Sequence, residues 1–404
     1  MRFVTDLNSV YTKPTQTIRY NYLSVIFRVK IISQKINKEC VESTSVDNIT
    51  VENMQLKVAT FNLFNYLEPP DAFYEFERIY SAEQWKKKQR WITAYLDEHQ
   101  PDIIGFQEVF SIESLKNLLL AEGYNYFAVV DQPQVIDDFI YKSPVVAIAS
   151  RFPIVASDAV LPDKDLAQAL GLTDNFSFSR KVIRATIDAP HIGHCDCYVV
   201  HFKSKRSMFD MEESELKRTP EKTIVDTLKA QVSGSWASTI QRGSEATLLM
   251  INMIGRREVT NNPMILMGDF NNTLNDGILS HLLTNSLRFV SVIDQNAYLA
   301  KYCLYDAWDL YKTALYNENP YSTDNKELCY NSMVTRNPTH YFGASGSVLD
   351  YILLSCEFDA SYHDSLYQVS DYNTYDRHLI NPSFERDDQS TDHGIVLVTL
   401  TLRS

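Results

Sequence analysis

The chain of 404 residues lacks the features of several large classes of protein. Its 12 glycines and 14 prolines exclude collagenous and low-complexity chains, and no internal repeat recurs at solenoid spacing. Arg28 and Lys30 interrupt the most apolar run before it reaches the roughly 18 residues of a membrane helix, so we expect no transmembrane segment. The run also lacks a small-residue cleavage site, which argues against a standard secretion signal. A cytoplasmic location is the default expectation, and secretion stays open.

Clustered cysteine and net positive charge are also absent. The six cysteines are too scattered for a zinc framework, so we expect free thiols, and a disulfide such as Cys303 with Cys329 stays open. With 38 basic and 51 acidic residues the formal charge is -13, so the overall charge cannot attract a polyanion. Any affinity for nucleic acid must come from a metal site and a small basic patch.

The pattern of apolar and polar residues changes near residue 55. Residues 1–55 show no clear amphipathic period, and we predict an N-terminal extension there and one main domain over residues 56–404. In the main domain, short apolar runs alternate with helical segments, which predicts a sheet-based core covered by helices. The predicted strands are 56–61, 103–106, 145–149, 182–187, 198–201, 264–267, 351–354 and 395–400.

Helices are predicted where apolar residues recur at helical spacing. The predicted helices are 83–99, 114–121, 246–254 and 276–283. In the first, Ile92 and Leu96 share the apolar face, and the lysines at 86–88 are predicted to face water. The polar stretch 206–241 and the tyrosine-rich stretch 296–341 are predicted to be long insertions whose loops lie near the functional site.

Short polar motifs follow or precede several of the predicted strands. Carboxylates, amides and histidines of this kind bind hard divalent cations and move protons at phosphate esters. In chain order they are Asn62, Gln107 and Glu108, His201, Asp269 and Asn271, Asp350, and Asp392 and His393. Each is ambiguous alone, because a glutamate at a strand end is usually solvated and asparagine often caps a turn. Together they predict metal-assisted phosphoryl chemistry.

The residue types suggest roles for the first of these groups. Glu108 and Asn62 offer the oxygen ligands of a Mg²⁺ ion that keeps several waters. Asp269 can orient or deprotonate a water, and the amide of Asn271 can hold a phosphate oxygen or that aspartate. The bland interpretation of the Asp269 segment is an ordinary turn after a buried strand.

The two histidines suggest proton transfer. His393 titrates near neutral pH, and Asp350 is its natural orienting partner, although an aspartate ahead of a strand is often a cap. His201 can protonate a leaving oxygen or stabilise five-coordinate phosphorus, and Lys203 beside it can hold a phosphate. A lone histidine is more often structural.

These motifs, in this order, resemble those of the endonuclease/exonuclease/phosphatase superfamily from about Leu56 to Leu402. The resemblance implies an α/β fold, a four-layer sandwich of two packed mixed β-sheets flanked by helices, as in pancreatic-type deoxyribonuclease. It implies a catalytic domain over residues 56–404 with Mg²⁺, or alternatively Mn²⁺, as cofactor. The implied metal ligands are Asn62, Glu108 and Asp392, and the implied catalytic residues are His201, Asp269, Asn271, Asp350 and His393.

The resemblance also bears on the substrate. Arg180 resembles a phosphate-contacting arginine of the family, with Arg184 as a competitor, and Lys203 is the second expected phosphate contact. The segment from His201 to Lys205 is most similar to the nuclease-like bacterial branch. We therefore expect a Mg²⁺-dependent nuclease that hydrolyses DNA or RNA by in-line attack of water. The alternatives are a phosphatase or phospholipase on a phosphorylated small molecule or lipid headgroup, such as inositol phosphates or sphingomyelin, and an inactive binding module.

Overall fold

Two six-stranded mixed sheets form the centre of the protein. The computed structural model describes residues 55–209, 219–287, 295–318, 334–380 and 385–403. The strands, in chain order, are β1 (Gln55–Tyr66), β2 (Ala72–Phe73), β3 (Ile103–Val109), β4 (Tyr126–Ala128), β5 (Gln134–Ile136), β6 (Ile140–Lys142), β7 (Val145–Ser150), β8 (Ile154–Ala159), β9 (Ile183–Ala189), β10 (Gly193–His201), β11 (Met264–Asp269), β12 (Tyr305–Asp306), β13 (His340–Phe342), β14 (Ser345–Ser347), β15 (Asp350–Leu354), β16 (Tyr367–Tyr375) and β17 (Ile395–Leu402).

The helices connect these strands. They are α1 (Ala82–His99), α2 (Ile112–Ala121), α3 (Lys164–Ala169), α4 (Pro220–Thr260), α5 (Gln295–Ala300), α6 (Ala307–Glu318) and α7 (Arg377–Ile380), with short 3₁₀ helices at Ser280–Leu283 and Cys356–Phe358. Helix α1 begins with a capping box formed by Ser81 and Gln84 and ends at Gln100 in the left-handed conformation. Helix α4 begins with Pro220 and ends at Asn261, which is also left-handed. Local sequence therefore fixes both ends of the two longest helices.

The two large sheets share one topological feature. Their strand orders are β16-β17-β1-β3-β7-β4 and β12-β15-β11-β10-β9-β8. In each, a single central pair is parallel, β1 with β3 and β10 with β11, and the other neighbours are antiparallel. A parallel pair needs a crossover, which α1 supplies in the first sheet and α4 in the second. Each parallel pair therefore brings two strand ends to one edge of its sheet.

The packing of the core forms four layers. Val58 of the first sheet and Val199 of the second are buried in one apolar cluster between the sheets. Leu249 and Met253 of α4 are buried in a second cluster with residues of the second sheet, and Ile92 of α1 is buried in a third with residues of the first. The predicted α/β four-layer sandwich is confirmed.

Most of the predicted elements are present. All eight predicted strands form, as β1, β3, β7, β9, β10, β11, β15 and β17, and the first two predicted helices form as α1 and α2. The predicted helix 246–254 is an inner part of α4, and 276–283 is helical only over Ser280–Leu283. Strands β8 and β16 are not predicted, because their polar side chains give no apolar run.

The predicted insertions are wrong over part of their length. Residues 220–241 belong to α4, since the second half of this helix packs on the sheet and the first half continues the same helical backbone. Part of 296–341 forms α5, β12 and α6. The remaining residues 210–218 and 319–333 of these two stretches lie outside the described residues.

Other predictions concern termini and cysteines. The predicted extension 1–55 lies outside the described residues except for Gln55, so its boundary stays a prediction. Four cysteines, Cys195, Cys197, Cys303 and Cys356, are buried free thiols as expected, whereas Cys40 and Cys329 lie outside the described ranges. Among the described helices, none is both long and apolar enough to cross a membrane.

Candidate active site

The ends of the two parallel pairs meet at one place. Asn62 lies opposite Gln107 in the β1–β3 pair, and His201 lies opposite Asp269 in the β10–β11 pair. The amide Nδ2 of Asn62 donates a hydrogen bond of 3.3 Å to Oδ2 of Asp269. This contact joins the two sheets at their shared edge, where the sequence predicted a site.

Asp269 is the centre of this cluster and is 1% exposed. Its Oδ1 accepts the backbone N–H of Asn271 at 2.8 Å, and its Oδ2 accepts the side-chain amides of Asn271 and Asn62, each at 3.3 Å. Nε2 of His201 lies 3.5 Å and Nε2 of His393 lies 3.9 Å from the same Oδ2. Burial raises the pKa of Asp269 to about 7. The carboxyl group can therefore exchange a proton near neutral pH.

His393 is held by a second carboxylate. Its Nδ1 lies 2.8 Å from Oδ2 of Asp350, and Asp350 lies opposite Asp269 in the β11–β15 ladder. Burial alone lowers the pKa of His393, but the charges of Asp350 and Asp269 outweigh it and raise that pKa well above the usual value. Thr391 fixes the preceding turn by accepting the N–H of His393 and donating to the carbonyl of Asn62 at 2.6 Å. His393 is thus positioned and kept protonated.

His201 has the opposite electrostatic character. It is 4% exposed, and burial, followed by the charges of Arg180 and His393, lowers its pKa well below the usual value. Its Nδ1 has no hydrogen-bond partner within the described part of the chain. The pKa values of the two histidines are therefore shifted in opposite directions, that of His201 downward and that of His393 upward.

The charges of the predicted phosphate contacts, Arg180 and Lys203, both act on His201. The charge of Arg180 acts on both His201 and Glu108. Arg184, which competed for this role, lies further along β9 and pairs with Asp158 at 2.5 Å, so its guanidinium is engaged elsewhere. The structure thus brings Arg180 rather than Arg184 to the site.

Lys203 continues the chain after β10. Its backbone N–H donates to Oε2 of Glu245 at 2.7 Å, and its carbonyl accepts from Arg242 at 2.9 Å. Burial, followed by the charge of Arg180, lowers the pKa of Lys203. Helix α4 therefore fixes the Lys203 backbone, while the ammonium stays partly exposed.

Glu108 lies in β3, and Asp392 lies in the segment that precedes β17. Glu108 has a left-handed backbone with φ of 61°, and its Oε2 accepts the N–H of Asn65 at 2.9 Å. Burial, with the Asp392 charge second, raises the pKa of Glu108. The buried Oδ1 of Asp392 has no hydrogen-bond partner among the described residues.

These observations fit a divalent cation. The charge of Asp392 acts on Glu108, and Oδ1 of Asp392 is orphaned. With the side-chain oxygen of Asn62 the two carboxylates offer the all-oxygen donor set that Mg²⁺ prefers. Ligand atoms of His340, Asp392 and His393 also lie within 4.8 Å of one another. The same holds for Asp269, Asp350 and His393. The metal roles of Asn62, Glu108 and Asp392 stay predictions.

One sequence prediction about this region is wrong. Lys88 does not face water but is 2% exposed, and its Nζ donates to the carbonyl of Ser390 at 2.9 Å. Burial lowers its pKa to about 8, against the opposing charges of Asp392 and Glu108. A signal existed, because Lys88 lies three residues after Trp85 and so on the apolar face of α1.

His340 and Tyr80 are further residues of the site that the sequence analysis does not single out. The ring of His340 lies 5.1 Å from that of His393. Burial, followed by the charges of Glu108 and Asp392, raises the pKa of Tyr80. Neither residue carries a local signal, since His340 lies in a short hairpin and Tyr80 in an irregular segment before α1.

Comparison with protein-family models identifies the family of this chain. The sequence profile of the Endonuclease/Exonuclease/phosphatase family matches residues 59–371, more than half of the chain. No curated protein matches the chain.

Solved structures of similar fold were also found. The human Nocturnin catalytic domain with bound sulfate anion is 16% identical, with a TM-score of 0.49 over 86% of this chain and 95% of that one. D. rerio TDP2 complexed with single strand DNA product is 12% identical, with a TM-score of 0.43 over 86% and 99%. A Bacteroides thetaiotaomicron mannosyl-6-phosphatase is 18% identical, with a TM-score of 0.43 over the same shares.

Proposed function

We propose that this chain, which belongs to the endonuclease/exonuclease/phosphatase family, is a Mg²⁺-dependent phosphodiesterase that cleaves nucleic acid. The observation that carries the proposal is the convergence of two histidines on one buried carboxylate, Oδ2 of Asp269, at 3.5 and 3.9 Å. Buried titratable groups whose pKa values are pushed apart are typical of acid–base sites. The family supplies hydrolysis of phosphoric esters as the reaction class.

Glu108 and Asp392, with the side-chain amide oxygen of Asn62, would hold the cation. A bound Mg²⁺ supplies positive charge that stabilises the negative charge developing on the phosphoryl oxygens. Arg180 and Lys203 add fixed positive charge near His201 and would bind a phosphate of the substrate. These local cations support a polyanionic substrate despite the net charge of -13.

Asp269 and His201 of the second sheet would move the protons together with His393, which precedes β17 of the first sheet. Oδ2 of Asp269 accepts a proton from the attacking water, which its pKa of about 7 permits. Nε2 of His393, kept protonated by Asp350, donates a hydrogen bond to a phosphoryl oxygen. Nε2 of the neutral His201 lies 3.5 Å from Oδ2 of Asp269 and would pass the proton taken from water to the leaving oxygen. Asn271 holds Asp269 in place through two hydrogen bonds.

One observation favours a second candidate, a phospholipase acting on a lipid surface. Helix α4 passes the site, since Arg242 donates to the carbonyl of Lys203, and its first half exposes an apolar side chain at every fourth residue. These side chains are Ile224, Leu228, Val232, Trp236 and Ile240. Exposed apolar rows with tryptophan are typical of helices that lie in a membrane interface.

Substrate panels separate these candidates. Supercoiled plasmid, single-stranded DNA and single-stranded RNA are incubated with micromolar enzyme in Mg²⁺, in Mn²⁺ and with chelator, beside sphingomyelin and phosphoinositide vesicles. We expect cleavage of nucleic acid that the chelator abolishes and added Mg²⁺ restores. Hydrolysis of a vesicle substrate without cleavage of any nucleic acid would support the phospholipase and overturn the nuclease.

A further inference from the structure

A pocket with a volume of about 410 Å³ has Asp392, one of the three candidate metal ligands, in its lining. Aromatic rings from three separate segments line it: Phe64 comes from the first, Phe73 and Tyr80 from the second and Tyr341 from the third. Lys88 and Asp392 are among the polar lining residues. This volume is in the range of sites that bind a small molecule or one group of a larger one. We infer that the pocket binds an unpaired nucleobase next to the scissile phosphate. The inference rests on the proposed function and names single-stranded nucleic acid as its substrate class.

The backbone holds Phe64 at the pocket in an unusual conformation. Phe64 follows Asn62 by two residues, has a left-handed φ of 51° and is 39% exposed. An exposed aromatic ring on left-handed backbone is uncommon, because both the exposure and the conformation cost free energy. The carbonyl of Phe64 accepts a hydrogen bond from Tyr80 Oη at 3.2 Å, which ties the two aromatic residues together. The ring is therefore held where a flat partner can stack on it.

The neighbouring rings extend the same surface. The centroids of Phe73 and Tyr80 are 5.3 Å apart, within the range of packed aromatic pairs. Tyr341 reaches the pocket from β13, a different part of the chain. Rings from separate segments offer stacking surfaces for any base, because each base has a π face.

Lys88 disfavours a cationic ligand on the aromatic rings of the pocket. Nζ of Lys88 lies 5.8 Å from the centroid of Phe64 and 5.6 Å from that of Tyr80, so a protein cation already lies close to both rings. A quaternary ammonium group such as choline uses aromatic faces in this way and would be repelled by Lys88. A neutral base attached to an anionic phosphate fits both the rings and the lysine.

The acidic residues around the pocket do not reverse this preference. Oδ1 of Asp387 accepts the indole N–H of Trp91 at 2.9 Å, and Oδ2 of Asp388 lies 3.3 Å from Nζ of Lys87. Arg386 lies 3.5 Å from the same Oδ1 of Asp387, so each of these two carboxylates has a cation beside it. The third carboxylate of the lining, Asp392, is a candidate metal ligand. A base reaches such a pocket only when it is unpaired, because pairing and stacking hold it inside a duplex.

The test measures binding apart from catalysis. A fluorescein-labelled single-stranded DNA, a strand of equal length made of abasic residues, and a duplex are titrated with the protein in chelator, and anisotropy gives each Kd. We expect the wild type to bind the base-containing strand about tenfold more tightly than the abasic strand. Phe64→Leu and Tyr341→Leu should each remove most of that difference and leave the Kd of the abasic strand unchanged.

Leu120→Ala is the matched control, because Leu120 is an exposed apolar residue on α2 outside the pocket. It should leave every Kd unchanged. Equal affinity of the wild type for abasic and base-containing strands would overturn the inference, as would unchanged binding in both leucine variants. If the wild type cleaves nucleic acid without base-dependent binding, the inference that the pocket binds a base is wrong, and the proposed nuclease function is retained. Base-dependent binding without cleavage of any nucleic acid would instead contradict the proposed nuclease function and support the inference that the pocket binds a base.

Discussion

The two parallel strand pairs reach the same edge but end differently. In the β10–β11 pair the ladder stays regular to its end, where His201 and Asp269 are register partners and both are buried. In the β1–β3 pair the register shifts after Asn62, and left-handed residues, Phe64 and Glu108 among them, turn the chain out of the ladder. One pair ends in a rigid contact, and the other ends in an irregular, more open edge.

This difference suggests a division of labour within the proposed site. Proton transfer needs donors and acceptors at fixed short distances, which a regular buried ladder provides. A hydrated cation needs oxygen ligands that solvent can reach, and the irregular edge leaves Glu108 only partly buried. Each left-handed non-glycine residue there costs on the order of 1–3 kcal/mol. Such strain is commonly found where function requires the geometry.

The largest expected effect comes from the regular pair. Asp269→Asn keeps the shape of the side chain but removes the base, so turnover should fall by roughly 100-fold or more. Because the substitution removes the proton acceptor and leaves the predicted cation ligands in place, added Mg²⁺ should not restore turnover. The measurement is kcat on the best nucleic-acid substrate across a Mg²⁺ series. Asp188→Asn, an exposed carboxylate in β9 of the same sheet, should retain wild-type turnover.

The irregular pair should respond in a different way. Glu108→Gln removes a charged ligand, so the Mg²⁺ concentration for half-maximal rate should rise by roughly tenfold or more, while saturating Mg²⁺ recovers much of kcat. The Mg²⁺ dependence of the initial rate measures both quantities. A loss that persists at all Mg²⁺ concentrations would contradict the division of labour between the two pairs.

The regular parts of the molecule were those the sequence could predict. Apolar runs identify the central strands, and a motif at the end of such a run places its side chain at the sheet edge. The predicted partnership of His393 with Asp350 corresponds to a contact of 2.8 Å, because Asp350 begins β15 and His393 precedes β17 by two residues. Periodicity and strand order were sufficient for these positions.

The irregular parts could not be predicted in the same way. The direction of Phe64 depends on its left-handed backbone, and no residue type at this position signals it. His340 reaches the site through a short hairpin that has no apolar run. Lys88 is different, because its helical spacing from Trp85 and Ile92 indicated burial, but two neighbouring lysines suggested a solvated face. For Lys88, the helical spacing predicted burial better than the charge of the side chain did.

The smallest expected effect concerns the place where the two pairs face each other. A Cβ added at Gly105 of β3 would lie 2.8 Å from the Cγ and Sδ atoms of Met267 in β11 and 3.0 Å from Val199 in β10. Gly105→Ala should therefore lower the free energy of unfolding by about 1–3 kcal/mol, because the sheets are closely packed there. Gly255→Ala is the matched control, since a Cβ there meets no atom within 4 Å and alanine favours the α4 helix, so its stability should stay equal or rise. Chemical denaturation measures both variants, and equal stability of the two would show that the sheets can separate without cost at Gly105.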